Sequence, residues 1–151
     1  QCGAVRFEVT GQLGQASICH CRMCQKAFGA AFAPLVGVPE GNVRWTKAEP
    51  ARFQSSNLVR RGFCPHCGPP LTYEAPDGIA LAIGAFDEPE EIAPVIQWGT
   101  EAKLPYVDDI PGLPGEDTMA DPKAVAFLAN LVSYQHPDRD TEEWPPLERG
   151  K

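Results

Sequence analysis

The chain has 151 residues, enough for one domain whose hydrophobic core can form without disulfides. It carries 13 Lys and Arg against 20 Asp and Glu, a net charge of -7, which argues against nucleic acid as a partner because phosphate binding needs a basic surface. No run approaches the roughly 18 apolar residues of a membrane span, and no signal peptide is visible. We therefore expect a soluble, cytoplasmic protein without a nucleic-acid or membrane partner.

Short apolar runs separated by Pro and Gly predict short strands and turns. The first strand is predicted within residues 3–11, where Val5, Phe7 and Val9 alternate with polar residues. A hairpin is predicted over 70–87, with its turn at Asp77-Gly78. The other predicted strands lie within residues 30–39, 42–47, 51–56, 58–63 and 93–99.

The C-terminal third predicts less regular structure. Residues 100–120 are rich in Pro, Gly and acidic residues and are expected to form an ordered loop or arm. One helix should then begin after an N-cap at Asp121, with Pro122 in its first position. Its apolar stripe is expected to pack on the sheet and consists of Ala124, Val125, Leu128, Leu131 and Val132. Residues 135–151 should be irregular, so the predicted fold class is all-β with a C-terminal helix and an irregular tail.

Six cysteines are the main chemical feature, at positions 2, 19, 21, 24, 64 and 67. Cys19 and Cys21 are too close in sequence to pair without strain, and a cytosolic protein keeps its thiols reduced. Residues 64–68, Cys-Pro-His-Cys-Gly, are typical of a zinc knuckle, in which Gly68 allows a tight turn that points backbone N–H groups at the sulfurs. A redox C-x-x-C motif of the thioredoxin type would need a βαβ context, which the sequence does not show.

Spacing alone leaves two ways to divide the cysteines. In the first, Cys21 and Cys24 join the knuckle in one closed four-thiolate site. In the second, Cys19, Cys21 and Cys24 hold one ion, while Cys2, Cys64 and Cys67 belong to another. Each site would then have three protein ligands and lack a fourth.

Four motifs in order carry a family resemblance: CGAVRFEVTG, CHCRMCQKAFGAAF, FCPHCGPPLTY and LAIGAFDEP. Together with QWGTEAKLPYVDDIPGLP, they resemble the glutathione-dependent formaldehyde-activating (GFA) family, which includes centromere protein V. The resemblance covers about residues 1–115. Residues 116–151 lie outside it and are expected to be a helical extension and tail packed on the same domain.

The resemblance implies an Mss4-like fold of coiled antiparallel sheets with zinc knuckles and two zinc ions. In the family, the C-x-C-x-x-C triplet forms the catalytic site, here Cys19, Cys21 and Cys24. A structural zinc takes an N-terminal C-x-C-G motif and the knuckle, here Cys2, Cys64 and Cys67. Because the chain begins Gln-Cys-Gly, the remaining family cysteine is expected immediately before Gln1, in a longer reading frame.

The implied activity is that of a carbon–sulfur lyase resembling S-(hydroxymethyl)glutathione synthase. It would add a thiol such as glutathione, held by zinc, to formaldehyde or a related aldehyde. Zinc with three thiolates is electron-rich, so it suits a bound thiolate better than the generation of hydroxide. The alternative is a non-catalytic, zinc-stabilised binding module of the same fold.

Other polar residues near the motifs have simpler expected roles. Four cations could meet the carboxylates of glutathione, although each alone is expected to be a solvated surface charge: Arg22, Lys26, Arg60 and Arg61. His20 is expected to be a surface or packing histidine rather than a ligand, His66 to point outward from the knuckle, and His136 to lie on the surface. The rings of Phe28, Phe32 and Phe86 are expected in the core or a pocket wall.

Overall fold

Most of the regular structure is β-sheet. The computed structural model describes residues 1–142. Seven strands form one sheet in the order β5-β6-β7-β8-β3-β2-β9, and β1 pairs with β4 in a small second sheet. The strands are β1 (Phe7–Val9), β2 (Ala16–Cys19), β3 (Ala33–Val38), β4 (Val43–Trp45), β5 (Ala51–Gln54), β6 (Arg60–Phe63), β7 (Pro70–Ala75), β8 (Gly78–Ala82) and β9 (Ile96–Trp98). The mostly-β fold class is therefore confirmed.

Two α-helices and several short 3-10 turns complete the structure of the described residues. The helices are α1 (Arg22–Phe28) and α2 (Pro122–Leu128), and the 3-10 segments are Ile83–Ala85, Pro89–Glu91, Thr100–Ala102, Pro105–Gly112 and Thr118–Ala120. Within residues 1–142, none of these helices is long and apolar enough to cross a membrane.

Every predicted strand region contains a strand, although not every pair of strands was predicted. The β7–β8 hairpin forms as predicted, although its turn consists of Pro76 and Asp77, one residue earlier than predicted, and Gly78 begins β8. The neighbouring strands β4 and β5, in contrast, do not pair with each other, since β4 pairs with β1 and β5 with β6. Two elements were not predicted, β2 and α1, and both lie at the cysteine triplet. β2 pairs with β9 in parallel, whereas the other strand pairs are antiparallel.

The hydrophobic core lies at the centre of the large sheet. β3 is flanked by β2 and β8, and Val36, Val38 and Leu81 are all buried there. A strand paired on both sides and covered by packing reads as a nearly continuous apolar run, which explains the sequence Ala-Pro-Leu-Val-Gly-Val. Phe7 of the small sheet packs edge-on against Phe86, which ties the two sheets together.

The C-terminal helix forms where predicted but does not pack as predicted. Asp121 caps it by accepting a hydrogen bond from the Lys123 N–H, and Pro122 occupies its first turn. The helix ends at Leu128, so Leu131 and Val132 lie beyond it, and none of its residues is buried. Helix propensity and capping therefore determined its start, while the apolar stripe did not determine its packing. Residues 135–142 contain no helix or strand, as expected, and the rest of the predicted tail lies outside the described residues.

The segment after α2 returns to the N-terminus, and this corrects the expectation for His136. Its backbone N–H donates to the Gln1 carbonyl at 2.7 Å, and its ring lies against Gly3, so the side chain is buried rather than on the surface. Arg6, which directly precedes β1, makes a bidentate ion pair with Asp87 at 2.8 and 2.7 Å and also donates a hydrogen bond to Asp140.

We predict that the Arg6–Asp87 ion pair makes stability depend on acid. The hydrogen bonds from Arg6 hold the pKa of Asp87 below its usual range. A lowered folded-state pKa stabilises the fold above the unfolded carboxyl pKa of about 4, and that contribution disappears as pH falls through the folded value. Asp87→Asn should lower the free energy of unfolding by on the order of 1 kcal/mol at pH 7, and by less at about pH 3, where the carboxyl begins to be protonated in the folded protein as well.

Urea unfolding at the two pH values measures this difference. Asp140→Asn is the matched control, because Asp140 contacts the same arginine but its side chain is 95% exposed, and an exposed pair contributes little. An equal loss for Asp87→Asn at both pH values would show that the ionised pair is not responsible.

Candidate metal centres

The cysteine triplet lies where β2 meets α1. Cys19 ends β2, Cys21 is the N-cap of α1, and Cys24 lies in its first turn. The cap folds the chain back on itself, since the Cys24 N–H donates to the Cys21 Sγ at 3.4 Å. The three Sγ atoms therefore lie within 4.8 Å of one another. Cys24 is buried, while Cys19 and Cys21 are half-buried, so the cluster is open on one side.

The second cluster joins the N-terminus to the knuckle. Cys2, Cys64 and Cys67 also have their Sγ atoms within 4.8 Å of one another. Gly68 has a φ of 91° and donates its N–H to the Cys64 carbonyl at 2.9 Å, which makes the predicted tight turn. In the described residues the cysteines thus form two groups of three, as in the second division above, and not one group of Cys21, Cys24, Cys64 and Cys67.

Both clusters suit a zinc ion. Zinc prefers thiolate ligands in a tetrahedral arrangement with Zn–S bonds of about 2.3 Å, which places neighbouring sulfurs about 3.8 Å apart. The Sγ atoms of Cys2 and Cys64 are 3.7 Å apart, with no disulfide between them. Sulfurs at this spacing fit a shared metal ion, and a zinc-binding protein is the interpretation that this donor set supports.

Backbone N–H groups and burial act in opposite directions on the thiols. Burial raises the pKa of Cys19 and of Cys67 to about 12. At Cys21 and Cys64 burial is outweighed by backbone N–H donors, chiefly from Cys24 and Cys67 respectively, so the pKa of each is lowered. In each cluster, backbone N–H groups therefore make one thiol easier to ionise, Cys21 or Cys64, while burial makes another harder to ionise, Cys19 or Cys67.

Hydrogen bonds from α1 and β9 fix the triplet loop. The buried Gln25 side chain donates to the carbonyl of His20 at 2.6 Å and to that of Ala102 at 3.0 Å. The His20 ring is also buried, bonds to the Gln97 side chain at 2.8 Å and packs edge-on against Phe32. Of the two roles expected for His20, on the surface or in packing, the structure shows the packing role. Gln25 was not singled out from the sequence, because an amide in a charged segment carries no motif signal.

The backbone of Gly99 lies close to the triplet. It follows β9, has a φ of 65°, and a Cβ built on it would lie 2.8 Å from the Cys21 backbone nitrogen. Glycine is needed there both for the left-handed conformation and for space. The sequence signal was a glycine at the end of a predicted strand, but only the parallel pairing of β9 with β2 reveals what it contacts.

The four candidate cations have different environments. Arg22 and Lys26 lie on the exposed side of α1, and Arg60 is exposed and pairs with Glu74 at 3.1 Å. Arg61, in contrast, is only 6% exposed and donates to the Cys24 Sγ at 3.4 Å. The expectation of a solvated surface charge is therefore wrong for Arg61, because alternation along β6 turns it inward. His66 is exposed on the knuckle, as expected.

A cavity of about 800 Å³ lies near the N-terminus and the segment around His136 rather than at the triplet. None of the six cysteines lines it, although its wall includes Phe28, which packs on the triplet cluster, and Phe86. Its acidic lining residues are Asp87, Glu88, Glu91 and Asp138, whereas Arg6 in the same wall is already paired. A ligand with carboxylates is therefore poorly matched to this cavity.

We predict that Gly99→Ala damages the triplet and spares the knuckle. The added methyl group must displace the Cys21 backbone, so zinc bound per chain should fall by about one ion in a protein that still folds, since structural sites hold zinc independently. Elemental analysis and circular dichroism measure the two effects. Gly112→Ala is the matched control, since nothing lies within 4 Å of its added carbon. Unchanged zinc content in Gly99→Ala would contradict the prediction.

Comparisons with known proteins identify the family of the chain. Among solved structures, the chain is similar to the crystal structure of a Rhodobacter sphaeroides protein, a structural genomics target, with 20% identity and a TM-score of 0.49 over 64% of this chain and 94% of that one. No curated protein matches the chain. The family model named glutathione-dependent formaldehyde-activating enzyme matches residues 1–101. Because this match spans more than half of the 151 residues, the chain belongs to the glutathione-dependent formaldehyde-activating enzyme family.

Proposed function

We propose that this protein is a zinc-dependent carbon–sulfur lyase that adds a thiol, such as glutathione, to formaldehyde or a related small aldehyde. The observation that carries the proposal is the open cluster of Cys19, Cys21 and Cys24, which is separate from the second cluster. Catalytic zinc sites keep a position free for substrate, whereas structural sites are closed by four protein ligands. Two half-buried thiols at the triplet match the first kind of site.

The reaction forms one bond and moves one proton. The thiol sulfur donates an electron pair to the aldehyde carbon, the carbonyl π pair moves to oxygen, and the thiol proton ends on that oxygen as a hydroxyl group. Zinc, when bound, supplies a position that stabilises the substrate thiol as its thiolate. The chain contributes the rigid placement of the three cysteines, and the expected rate gain comes mainly from positioning, because thiols and formaldehyde combine spontaneously.

Recognition of the thiol substrate is assigned to the exposed side of α1. Arg22 and Lys26 are exposed and four residues apart, so they lie on one side of the helix that begins at Cys21. Glutathione carries two carboxylates, which such cations would meet near the open triplet. The acidic lining of the cavity near the N-terminus supports this choice, since it would repel the same carboxylates.

We predict that the two clusters respond differently to serine. Cys21→Ser should abolish thiol-dependent aldehyde turnover and remove about one zinc per chain, while the melting temperature stays near that of the parent. Cys64→Ser should lower the melting temperature, because it breaks the cluster that holds the N-terminus to the knuckle. Zinc analysis, thermal melting and product formation followed by NMR measure these changes. Full activity in a folded Cys21→Ser protein would contradict the proposal, and a zinc-loaded parent without turnover would favour the binding module.

We predict that the α1 cations select the thiol. The double change Arg22→Ala and Lys26→Ala should raise KM for glutathione about tenfold, as expected for the loss of charge-assisted hydrogen bonds. It should leave KM for 2-mercaptoethanol, which has no carboxylate, unchanged. Arg44→Ala is the control, since Arg44 is exposed and pairs with Glu8 in the small sheet. Equal effects on both thiols would place carboxylate recognition elsewhere.

A further inference from the structure

The geometry points to Arg61 as the positioning residue that sets the affinity of the triplet site for an anionic fourth ligand. This inference rests on the proposed thiol-binding function and concerns how that site accepts a thiolate. Arg61 lies on β6, in a segment far from the triplet in sequence, yet its guanidinium reaches the cluster. Its role would be to supply positive charge next to the thiolates rather than to touch the substrate.

Three contacts hold the Arg61 guanidinium in one place. Nη2 donates to the Cys24 Sγ at 3.4 Å, Nε donates to the Ser55 hydroxyl at 3.1 Å, and the guanidinium lies 5.2 Å from the centre of the Tyr73 ring. Cations over aromatic faces are stabilised there. The orientation is thus fixed by the protein before any ligand arrives.

Burial of this cation needs an electrostatic explanation. Arg61 is 6% exposed, and its Nη1 has no hydrogen-bond partner among residues 1–142. A buried charge is costly unless an opposite charge lies close to it. Among the described residues, no carboxylate forms a salt bridge with Arg61. Cys24, which is a thiolate when the cluster holds a zinc ion, is the partner that the Arg61 hydrogen bond identifies.

The charge count at the site shows what Arg61 changes. A zinc dication with three thiolates carries one net negative charge, and a fourth thiolate would add a second. Such a ligand is repelled in a half-buried site, where charges interact more strongly than in water. The Arg61 cation cancels one of these charges, so it favours an anionic fourth ligand and has little effect on a neutral one.

Direct binding of a substrate carboxylate by Arg61 does not fit its surroundings. Its unpartnered Nη1 is buried, and Nη2 and Nε are already engaged with Cys24 and Ser55. The neighbouring Arg60 lies on the opposite side of β6, exposed to solvent and paired with Glu74. The two arginines thus share a strand and a sequence context but differ in their access to the triplet.

The test measures ligand binding to the cobalt-substituted protein, whose sulfur-to-metal absorption bands change when the open site gains a ligand. Three probes are titrated at pH 8: 2-mercaptoethanol, glutathione and imidazole. We expect Arg61→Met to bind both thiols about tenfold more weakly, as for the loss of a charge-assisted interaction, and to bind neutral imidazole as the parent does. Arg61→Lys should recover most thiol affinity, and Arg60→Met, the matched control, should behave as the parent.

Each other outcome overturns the inference. Parent-like binding of 2-mercaptoethanol by Arg61→Met would remove the charge effect, and weakened binding of glutathione alone would make Arg61 a carboxylate ligand. An equal loss for imidazole would show a merely structural role. If Arg61→Met does not fold, Arg61→Gln, which keeps hydrogen-bond donors but no charge, is measured with the same criteria. Failure of the parent to bind either thiol would instead overturn the proposed function itself.

Discussion

The structure depends on bringing the cysteine thiols together in two small clusters of three. Three thiols within 4.8 Å of one another cannot all ionise without compensation, because like charges at this distance repel and burial disfavours each of them. The chain supplies compensation from N–H groups in the cap of α1 and in the knuckle, and from Arg61 beside Cys24. A bound cation supplies the remainder, which is why these clusters suit zinc better than free thiols.

The large sheet positions both clusters from different sides. β2 delivers Cys19 and leads into the cap at Cys21, while the parallel strand β9 brings Gly99 against that loop. The β6–β7 pair carries the knuckle at one end and Arg61 within it. The knuckle cluster also holds the N-terminus, to which the segment around His136 returns. The two cysteine clusters therefore share a scaffold although their members do not mix.

Elements encoded by local sequence patterns could be predicted, whereas contacts between residues far apart in sequence could not. Alternation predicted β1, the turn residues predicted the β7–β8 hairpin, and Asp121 with Pro122 predicted the start of α2. The cysteine spacing and the family motifs predicted both clusters, but β2 and α1 were missed because each is short, β2 ending at the first cysteine of the triplet and α1 lying within the motif. The roles of Gly99 and Arg61 depend on contacts between segments far apart in sequence, which no local pattern encodes. The expected surface position of His136 was wrong because its contact with the N-terminus is also distant in sequence.

Under the proposed function, the reactivity of the bound thiol and the selectivity between thiols depend on different parts of the protein. The three cysteines and the buried Arg61 would determine how readily a thiolate binds, whatever the rest of the thiol contains. The exposed residues of α1 would determine which thiol is preferred, since they contact only the parts of the substrate away from sulfur. Substitutions on α1 could then change the substrate without disturbing the metal site, because Arg22 and Lys26 are solvent-exposed and lie outside the cores of the clusters. On this proposal, the exposed surface of α1 determines which thiol is the physiological substrate, and the triplet determines the chemistry.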